Sequence, residues 1–574
     1  MGMFKLCGVV PPPASSGSDI HDLYARKSAN ARVVYNENGF CLSSTDQNPA
    51  VLSFDTWINA FSLGKWKSYA DLDGLFLNMR LSGKGKIEVF GVSAADTQTP
   101  LLEQGFDFSA PQNLLLNIPV TGLEKEPVLI AWRIVAVNCA VSQANYETRT
   151  DEAKLRSISI SLIICTFRRE EYIHATLKAI ERALRQDPVL RKHLYVRVID
   201  NGRTLDPKDF ASAFHVSVYP NPNLGGAGGF ARGMLETLED ENFSSTHVLL
   251  MDDDIELPDG VLYKTFSLAS LAKAKRSRDF IGGAMLNMDE KQSLVASVEC
   301  YNGTFLTRRC FALGMEGNLL LRANLTLHEN PAVYKEQYQA WWYCLMPLTQ
   351  IREHGLPFPF FFQFDDIEYA LRTQARIMHL AGIFVWHEPF YKKRQNSKYY
   401  FCTRNCLILG ALHPHKQYPA LLATLRFACL HALFNYKAIA AVRLGMEDFM
   451  QGPQPMHRPD FCTEALERAE RMNKRIKILP DFPADLPGKK LGLVRKMLLI
   501  LNGHLLSNCF LSELFLLLPT LVRLFWHWRT IGAQYRAEHN RMTSQEFWKE
   551  YLRSGHAENY AAENLVGAGT TLCL

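Results

Sequence analysis

Residues 158–166 read Ile-Ser-Ile-Ser-Leu-Ile-Ile-Cys-Thr. The run is uncharged and rich in isoleucine with only small serines between, the composition of a strand buried on both faces. A helical pattern follows over about Glu170 to Arg185. Tyr195 to Asp200 (YVRVID) supplies a second buried strand and Val248 to Asp252 (VLLMD) a third. Strand, helix and strand at this spacing predict an α/β sheet. Ligands of such sheets bind beyond the carboxyl ends of the strands. Thr166–Arg169, Asp200–Asn201 and Asp252–Asp254 all fall there.

Asp252, Asp253 and Asp254 repel one another, so a fold that keeps them needs a neutraliser. A hard divalent cation, Mg²⁺ or Mn²⁺, suits carboxylates and bridges to substrate phosphates. Side chains two apart on extended backbone point the same way, so Asp252 and Asp254 can share one ion. The plainer reading is a solvated turn with capping acids, but so apolar a strand seldom leads into one. A second pair, Asp365-Asp366, follows the aromatic run Phe358 to Phe364 (FPFFFQF). One acid is expected to cap the next helix. The other is then available as a general base toward an acceptor hydroxyl. His387 ends another strand-like run, Ile383-Phe-Val-Trp-His, and a neutral imidazole suits Mn²⁺ as a third ligand beside two carboxylates.

Two further segments admit two readings each. Asn221 to Gly233 (NPNLGGAGGFARG) opens a helix, and its glycines let a backbone approach an anionic ligand, though it is neither a Walker loop nor a clean dinucleotide fingerprint. Trp341-Trp342-Tyr343 offers flat faces to a sugar chain or to the core.

Outside this region the pattern changes. Residues 30–145 alternate as short strands, among them Leu75–Leu81, Lys86–Phe90 and Val128–Val137, which predicts an N-terminal β-sandwich. Asp55 to Trp66 (DTWINAFSLGKW) groups aromatics that serve either core packing or sugar stacking. After about 415 the chain turns helical: Tyr418–Met450, a Pro-rich link (Pro453, Pro455, Pro459), a basic helix near Ala465–Ile478, and helices over 489–507 and 510–537, the last kinked at Pro519. Lys489, Lys490, Arg495 and Lys496 flank the apolar Met497–Leu501, and Leu514–Trp528 adds an apolar stretch with Arg523 and two tryptophans. Such helices suit either a membrane surface carrying anionic lipid or packing on the catalytic domain or another subunit.

At 574 residues, with 47% apolar and 21% charged residues, the chain is expected to fold as several ordinary globular domains. A net charge of +5, with acids and bases mixed, gives no sign of a nucleic-acid partner. Thirteen cysteines without a regular spacing fit a reducing cytoplasm. Met1–Val10 lacks a signal peptide's features, and no apolar stretch is long enough to span a bilayer, so a cytoplasmic protein is expected.

Taken in order, these pieces resemble family 2 glycosyltransferases of the GT-A fold. ICTFRR (Ile164–Arg169) looks like that family's first-strand motif and MDDD (Met251–Asp254) its acidic metal motif. More narrowly, NLGGAGGFARG, DDDIELP, AWWY, FDDIEYALR, WHEPF and the YFCTRN stretch resemble bacterial polymerising galactofuranosyltransferases that build cell-wall galactan. The resemblance implies a multidomain chain: an N-terminal β-sandwich (1–150), a central α/β, Rossmann-like GT-A catalytic domain (151–415) and a C-terminal helical domain (416–574). It implies that Asp252, Asp254 and His387 hold Mn²⁺ or Mg²⁺, and that Asp366 is the catalytic base with Asp365 on the acceptor. Arg169, Asp200 and Asn223 would contact a UDP-sugar donor, and Trp341 and Trp342 would line the acceptor site. The expected reaction is inverting transfer of galactofuranose from UDP-galactofuranose to a lipid-linked or growing glycan. A homo-oligomer at the inner face of the membrane is compatible with it. Arg168 departs from the small polar residue often found there. The Gln-x-x-Arg-Trp motif of processive synthases is missing from the sequence. The competing expectations are a family 2 transferase using a UDP-pyranose or dTDP-sugar, and an inactive carbohydrate-binding scaffold.

Overall fold

The computed structural model describes residues 2–13, 18–36, 39–93, 97–121, 123, 128–210, 214–301, 311–312, 337–374, 376–388, 397–416, 420–422, 424–425, 428, 436–475 and 508–562. Its first part is β-rich. Three long strands, β1 (Asp73–Ser93), β2 (Gln98–Ile118) and β3 (Val128–Thr150), pair antiparallel, β1 lying between the other two. Shorter strands, Gly2–Gly8, Gly39–Ser44, Ala50–Ser53 and Phe61–Ser62, pair in turn along β3. Hydrogen bonds link all nine strands into one sheet, and bulges in the long strands let it bend. The candidates Leu75–Leu81 and Lys86–Phe90 are halves of the single strand β1. Register shifts near Arg80/Leu81 and Lys84/Gly85 carry it through the glycines that separate them in sequence.

The second part is the mixed α/β sheet. β4 (Ile160–Thr166) leads to the helix α1 (Glu170–Gln186), then β5 (Leu194–Asp200), β6 (Val216–Pro220), α2 (Gly225–Glu239) and β7 (His247–Asp252). The parallel order is β6-β5-β4-β7. Every residue of β4 is buried, as its composition predicts. Register aligns Thr166 with Asp200 and Cys165 with Asp252, so three strands deliver their carboxyl ends to one rim. The sheet continues through β8 (Ile255–Glu256), β9 (Phe280–Asn287), β10 (Tyr343–Pro347), the helix α3 (Asp365–Thr373) and β11 (Ile377–His387). β10 runs antiparallel to β7, while β11 lies parallel to β9 and pairs with β8.

Asp55–Trp66 is packed against this sheet. Trp57 and Trp66 are buried, the Trp57 ring meets Phe384 of β11 at 5.0 Å, and an added Cβ at Gly382 would lie 2.8 Å from the Ile58 carbonyl. The core-packing reading of those aromatics therefore holds, and the segment ties the β-rich part to the strand that ends at His387.

The third part is helical: α4 (Ser397–Leu412), α5 (Tyr436–Met450), α6 (Phe461–Arg475), α7 (Asn508–Met542) and α8 (Gln545–Ala562). Pro519 lies inside α7. The predicted helix at 489–507 and the basic stretch Lys489–Lys496 lie outside the described residues. Among the described residues, no helix is long and apolar enough to cross a membrane.

Candidate active site

Three side chains converge at the rim. Asp252, Asp254 and His387 each offer a ligand atom, all within 4.8 Å of one another. His387 Nε2 lies 3.4 Å from Asp252 Oδ2 and 3.2 Å from Asp254 Oδ1. The sheet fixes the imidazole from both sides, since His387 is paired with Ile255 of β8 and Asn287 of β9. Its Nδ1 sits 2.6 Å from the Glu388 carbonyl, a bond that places a hydrogen on Nδ1 and turns Nε2 toward the acids. Burial pulls the His387 pKa down, but hydrogen bonds to Asp252 and Asp254 and their charges outweigh it and raise the value to about 9. Two carboxylates and an oriented imidazole are a donor set that fits a divalent cation.

Asp253 has a different role, which sequence reasoning missed. It is wholly buried and accepts hydrogen bonds from Thr166 Oγ1 (2.7 Å) and Arg169 Nη1 (3.1 Å). Arg169 Nη1 also lies 2.9 Å from Asp254 Oδ2. Burial and the neighbouring Asp254 push the Asp253 carboxyl up to about 6 despite Arg169. Arg169 thus ties the first strand motif to the acidic run, a link with no signal in the local sequence. Arg168, the departure noted above, adopts φ 53° and sets its guanidinium over the Phe167 ring.

The second acidic pair opens α3, and here the capping expectation fails. The N-cap is Phe364, at φ 73° and with no side-chain cap bond, so Asp365 and Asp366 are the first two helical residues. Asp365 is buried. Desolvation, with the charges of Asp252 and Glu368, raises it to about 7 against two backbone hydrogen bonds. Asp366 is half-buried, and its Oδ1 accepts from the Ile367 amide at 2.8 Å. The influence of Asp252 on Asp365 places the two acidic motifs in one electrostatic neighbourhood.

Asp200 is buried, and its carboxylate accepts from the amides of Gly202 (2.9 Å) and Leu205 (2.8 Å), which closes the turn after β5. Asn223 Oδ1 accepts from Gly225 N at 3.3 Å at the entrance to α2. The glycines of α2 serve packing: a Cβ at Gly229 would lie 2.1 Å from Cys165 Sγ, and one at Gly233 2.3 Å from Ile163. The Ala227 amide donates to the Phe361 carbonyl at 3.0 Å rather than facing an open anion site. Trp341 and Trp342 are both buried just before β10, whose Tyr343 is opposite Met251. Trp341 meets Phe230 and Tyr369 edge-on, and Trp342 Nε1 donates to the Gly283 carbonyl at 2.8 Å.

An acidic rim on a mixed α/β sheet, with the charge of Asp252 felt at Asp365, is an arrangement suited to a divalent ion and a phosphorylated substrate. Residues 158–399 match the family described as glycosyltransferase like family 2, and the chain is a glycosyltransferase. Residues 6–121 match the domain described as galactofuranosyltransferase 2 N-terminal. More particularly, the chain is homologous to the galactofuranosyltransferases GlfT2. It is 27% identical over 508 residues to that of Mycobacterium tuberculosis, covering 82% of this chain and 75% of the relative. To that of Mycolicibacterium smegmatis it is 26% identical over 477 residues, covering 78% and 71%. A solved carbohydrate-binding module of family 29 aligns with 26% of the chain and 90% of its own at 8% identity, with a TM-score of 0.18, a likeness too slight to carry an argument.

Proposed function

We propose that this protein transfers galactofuranose from UDP-galactofuranose to a hydroxyl of a lipid-linked or growing cell-surface glycan, with inversion at the anomeric carbon. The observation that carries this reading is the convergence of Asp252, Asp254 and His387 at one rim, with the charge of Asp252 felt at Asp365. The choice of donor sugar rests on the likeness to galactofuranosyltransferases.

In this reading Asp252, Asp254 and His387 hold a divalent cation, Mn²⁺ or Mg²⁺, which compensates charge on a diphosphate leaving group. Asp366 accepts the proton of the acceptor hydroxyl as its oxygen attacks the anomeric carbon. A new carbon–oxygen bond forms, the bond to the diphosphate breaks, and its electron pair leaves with UDP. A single displacement needs no enzyme nucleophile. The base works within about 3 Å of the attacking oxygen. Asp365 contacts the acceptor, and Trp341 and Trp342 shape its wall. Arg169, through Asp253 and Asp254, joins Asp200 and Asn223 in setting the donor side.

The division into 1–150, 151–415 and 416–574 belongs to the same proposal, as does a location in the cytoplasm at the inner face of the cell membrane. For the latter, α7 offers Phe515, Leu518, Val522 and Phe525, spaced three or four apart on one face, with Trp526 next to them, all exposed by 50–76% and beside Arg523. The proposal is tested by turnover with a panel of donors. Product from UDP-galactofuranose alone supports it, and product from a UDP-pyranose alone replaces the donor.

A further inference from the structure

The segment before α3 has a backbone that its residues do not favour. Phe361, Gln363 and Phe364 adopt φ of 78°, 66° and 73°, in the left-handed region that L-residues with large side chains avoid. Three such residues within four positions cost roughly 1–3 kcal/mol each and persist only where surroundings over-determine them. The surroundings here take up four consecutive carbonyls. Phe361 O accepts from Ala227 N of α2 at 3.0 Å, and the missing Cβ of Gly225, which would fall 2.1 Å from that oxygen, allows the approach. The other three carbonyls turn to α4. Arg404 Nη2 donates to Phe360 O at 2.7 Å, and Asn405 Nδ2 lies 3.3 Å from Phe360 O, 2.9 Å from Phe362 O and 3.0 Å from Gln363 O.

Both side chains are fully buried, and each is oriented in turn. Arg404 Nε donates to Asn405 Oδ1 at 2.9 Å, which fixes the amide with its nitrogen toward the loop. Arg404 Nη1 donates to Tyr400 Oη (3.1 Å) and Cys462 Sγ (3.3 Å). Tyr400 Oη donates to Asp448 Oδ2 at 2.8 Å, and Arg468 pairs with the same carboxylate at 2.7 Å. The chain of bonds therefore runs from α5 and α6, through α4, into the loop that ends at Asp365 and Asp366.

We propose that Arg404 and Asn405 are positioning residues for the transfer reaction: they clamp the 360–363 carbonyls and so aim Asp366 at the acceptor hydroxyl. This rests on the proposed function for the identity of the base. The clamp acts only through the loop, and misplacing a reacting group by about 1 Å can cost on the order of 100-fold in rate.

The test uses the full-length chain and compares wild type with Asn405→Ala and the milder Arg404→Lys, which keeps the charge and one donor. Two readouts are taken. Hydrogen exchange of peptides spanning 358–368 is expected to quicken at least tenfold in Asn405→Ala, with peptides of β4 and β7 unchanged. Steady-state transfer is expected to show kcat lowered about 100-fold, with UDP and Mn²⁺ affinities within twofold of wild type, and Arg404→Lys in between. Unchanged exchange in 358–368 overturns the clamp whether or not the protein is active. Parallel loss of kcat, UDP affinity and Mn²⁺ affinity overturns it in favour of a merely structural role. Should Asn405→Ala fail to fold, Arg404→Lys decides by the same criteria. If wild type turns over no sugar donor while the exchange result holds, the proposed function fails and the clamp stands as an organiser of the loop.

Discussion

His387 Nε2 stands 3.2 Å from Asp254 Oδ1, although His387 ends β11 and Asp254 lies in the bend between β7 and β8. The pairing of Ile255 with His387 sets the distance, so the ligand set is preformed by sheet register rather than assembled by a mobile loop. Mn²⁺ in large excess over its dissociation constant should stabilise wild type by roughly 2–3 kcal/mol, a rise of about 1–3 °C in Tm for a chain of this size. Asp254→Ala and His387→Ala should remove the rise in a thermal-shift assay. A full rise in either variant would place the ion elsewhere.

The same geometry predicts a pH dependence. The His387 pKa is raised from its ordinary 6.5 to about 9, so its contribution to stability is fully present below about 6.5 and is lost as pH climbs through about 9. Metal-free protein should lose on the order of 2–3 kcal/mol across that window, and His387→Gln should lose far less. Chemical denaturation at a series of pH values measures it, and a wild-type curve as flat as the variant's would refute the assignment.

Asp365 should show the opposite preference for protonation to an ordinary surface acid. Its carboxyl is raised from 3.8 to about 7 in the folded chain, so folding is weakened as pH rises from about 4 to about 7 and the penalty stays constant above that. Asp365→Asn should therefore be more stable than wild type by about 1–3 kcal/mol at pH 8 and no more stable at pH 4. Equal stability at pH 8 would show that the carboxyl is ionised at no cost.

Arg169 and Asp253 form a buried pair in which removing one partner strands the other. Arg169→Ala should cost about 3–5 kcal/mol, while Thr166→Val, which removes one hydrogen bond to Asp253, should cost nearer 1–3 kcal/mol. Comparable small losses in both would mean that solvent reaches Asp253.

What was legible in the sequence follows from locality. β4 and β7 were readable because strands buried on both faces are apolar along most of their length, β5 because its valines and isoleucine outweigh the one arginine, and the ends of α1 because its helical pattern is unbroken. The acid runs were readable because like charges seldom gather without a reason. What was not legible depended on partners distant in sequence. Nothing near Asp253 announces that Arg169 will lie on it. Phe364 caps α3 because the loop before it turns left-handed, a conformation no local preference of phenylalanine predicts. The glycines of Asn221–Gly233 looked like an anion cradle, and Cys165 and Ile163 are the neighbours that require them. In the β-rich part, pairing with β3 carries β1 through glycines that read as breaks.

The exposed face of α7 separates two uses of the same residues. Phe525→Glu with Trp526→Glu should abolish sedimentation with vesicles containing anionic lipid and leave turnover on a soluble acceptor within about twofold. Unchanged sedimentation would exclude this face as the lipid contact. A shift in oligomeric state with unchanged sedimentation would assign it to a second copy of the chain.

The most direct test of the central claim is turnover by the purified chain with Mn²⁺ and an alkyl galactofuranosyl acceptor, with UDP release and product mass followed for UDP-galactofuranose, UDP-galactopyranose and UDP-glucose. Asp366→Asn runs alongside. The account predicts product from UDP-galactofuranose alone, with kcat lowered by about 10²–10⁴ in the variant and UDP binding retained. Equal turnover by Asp366→Asn, or product only from a pyranose donor, would contradict it.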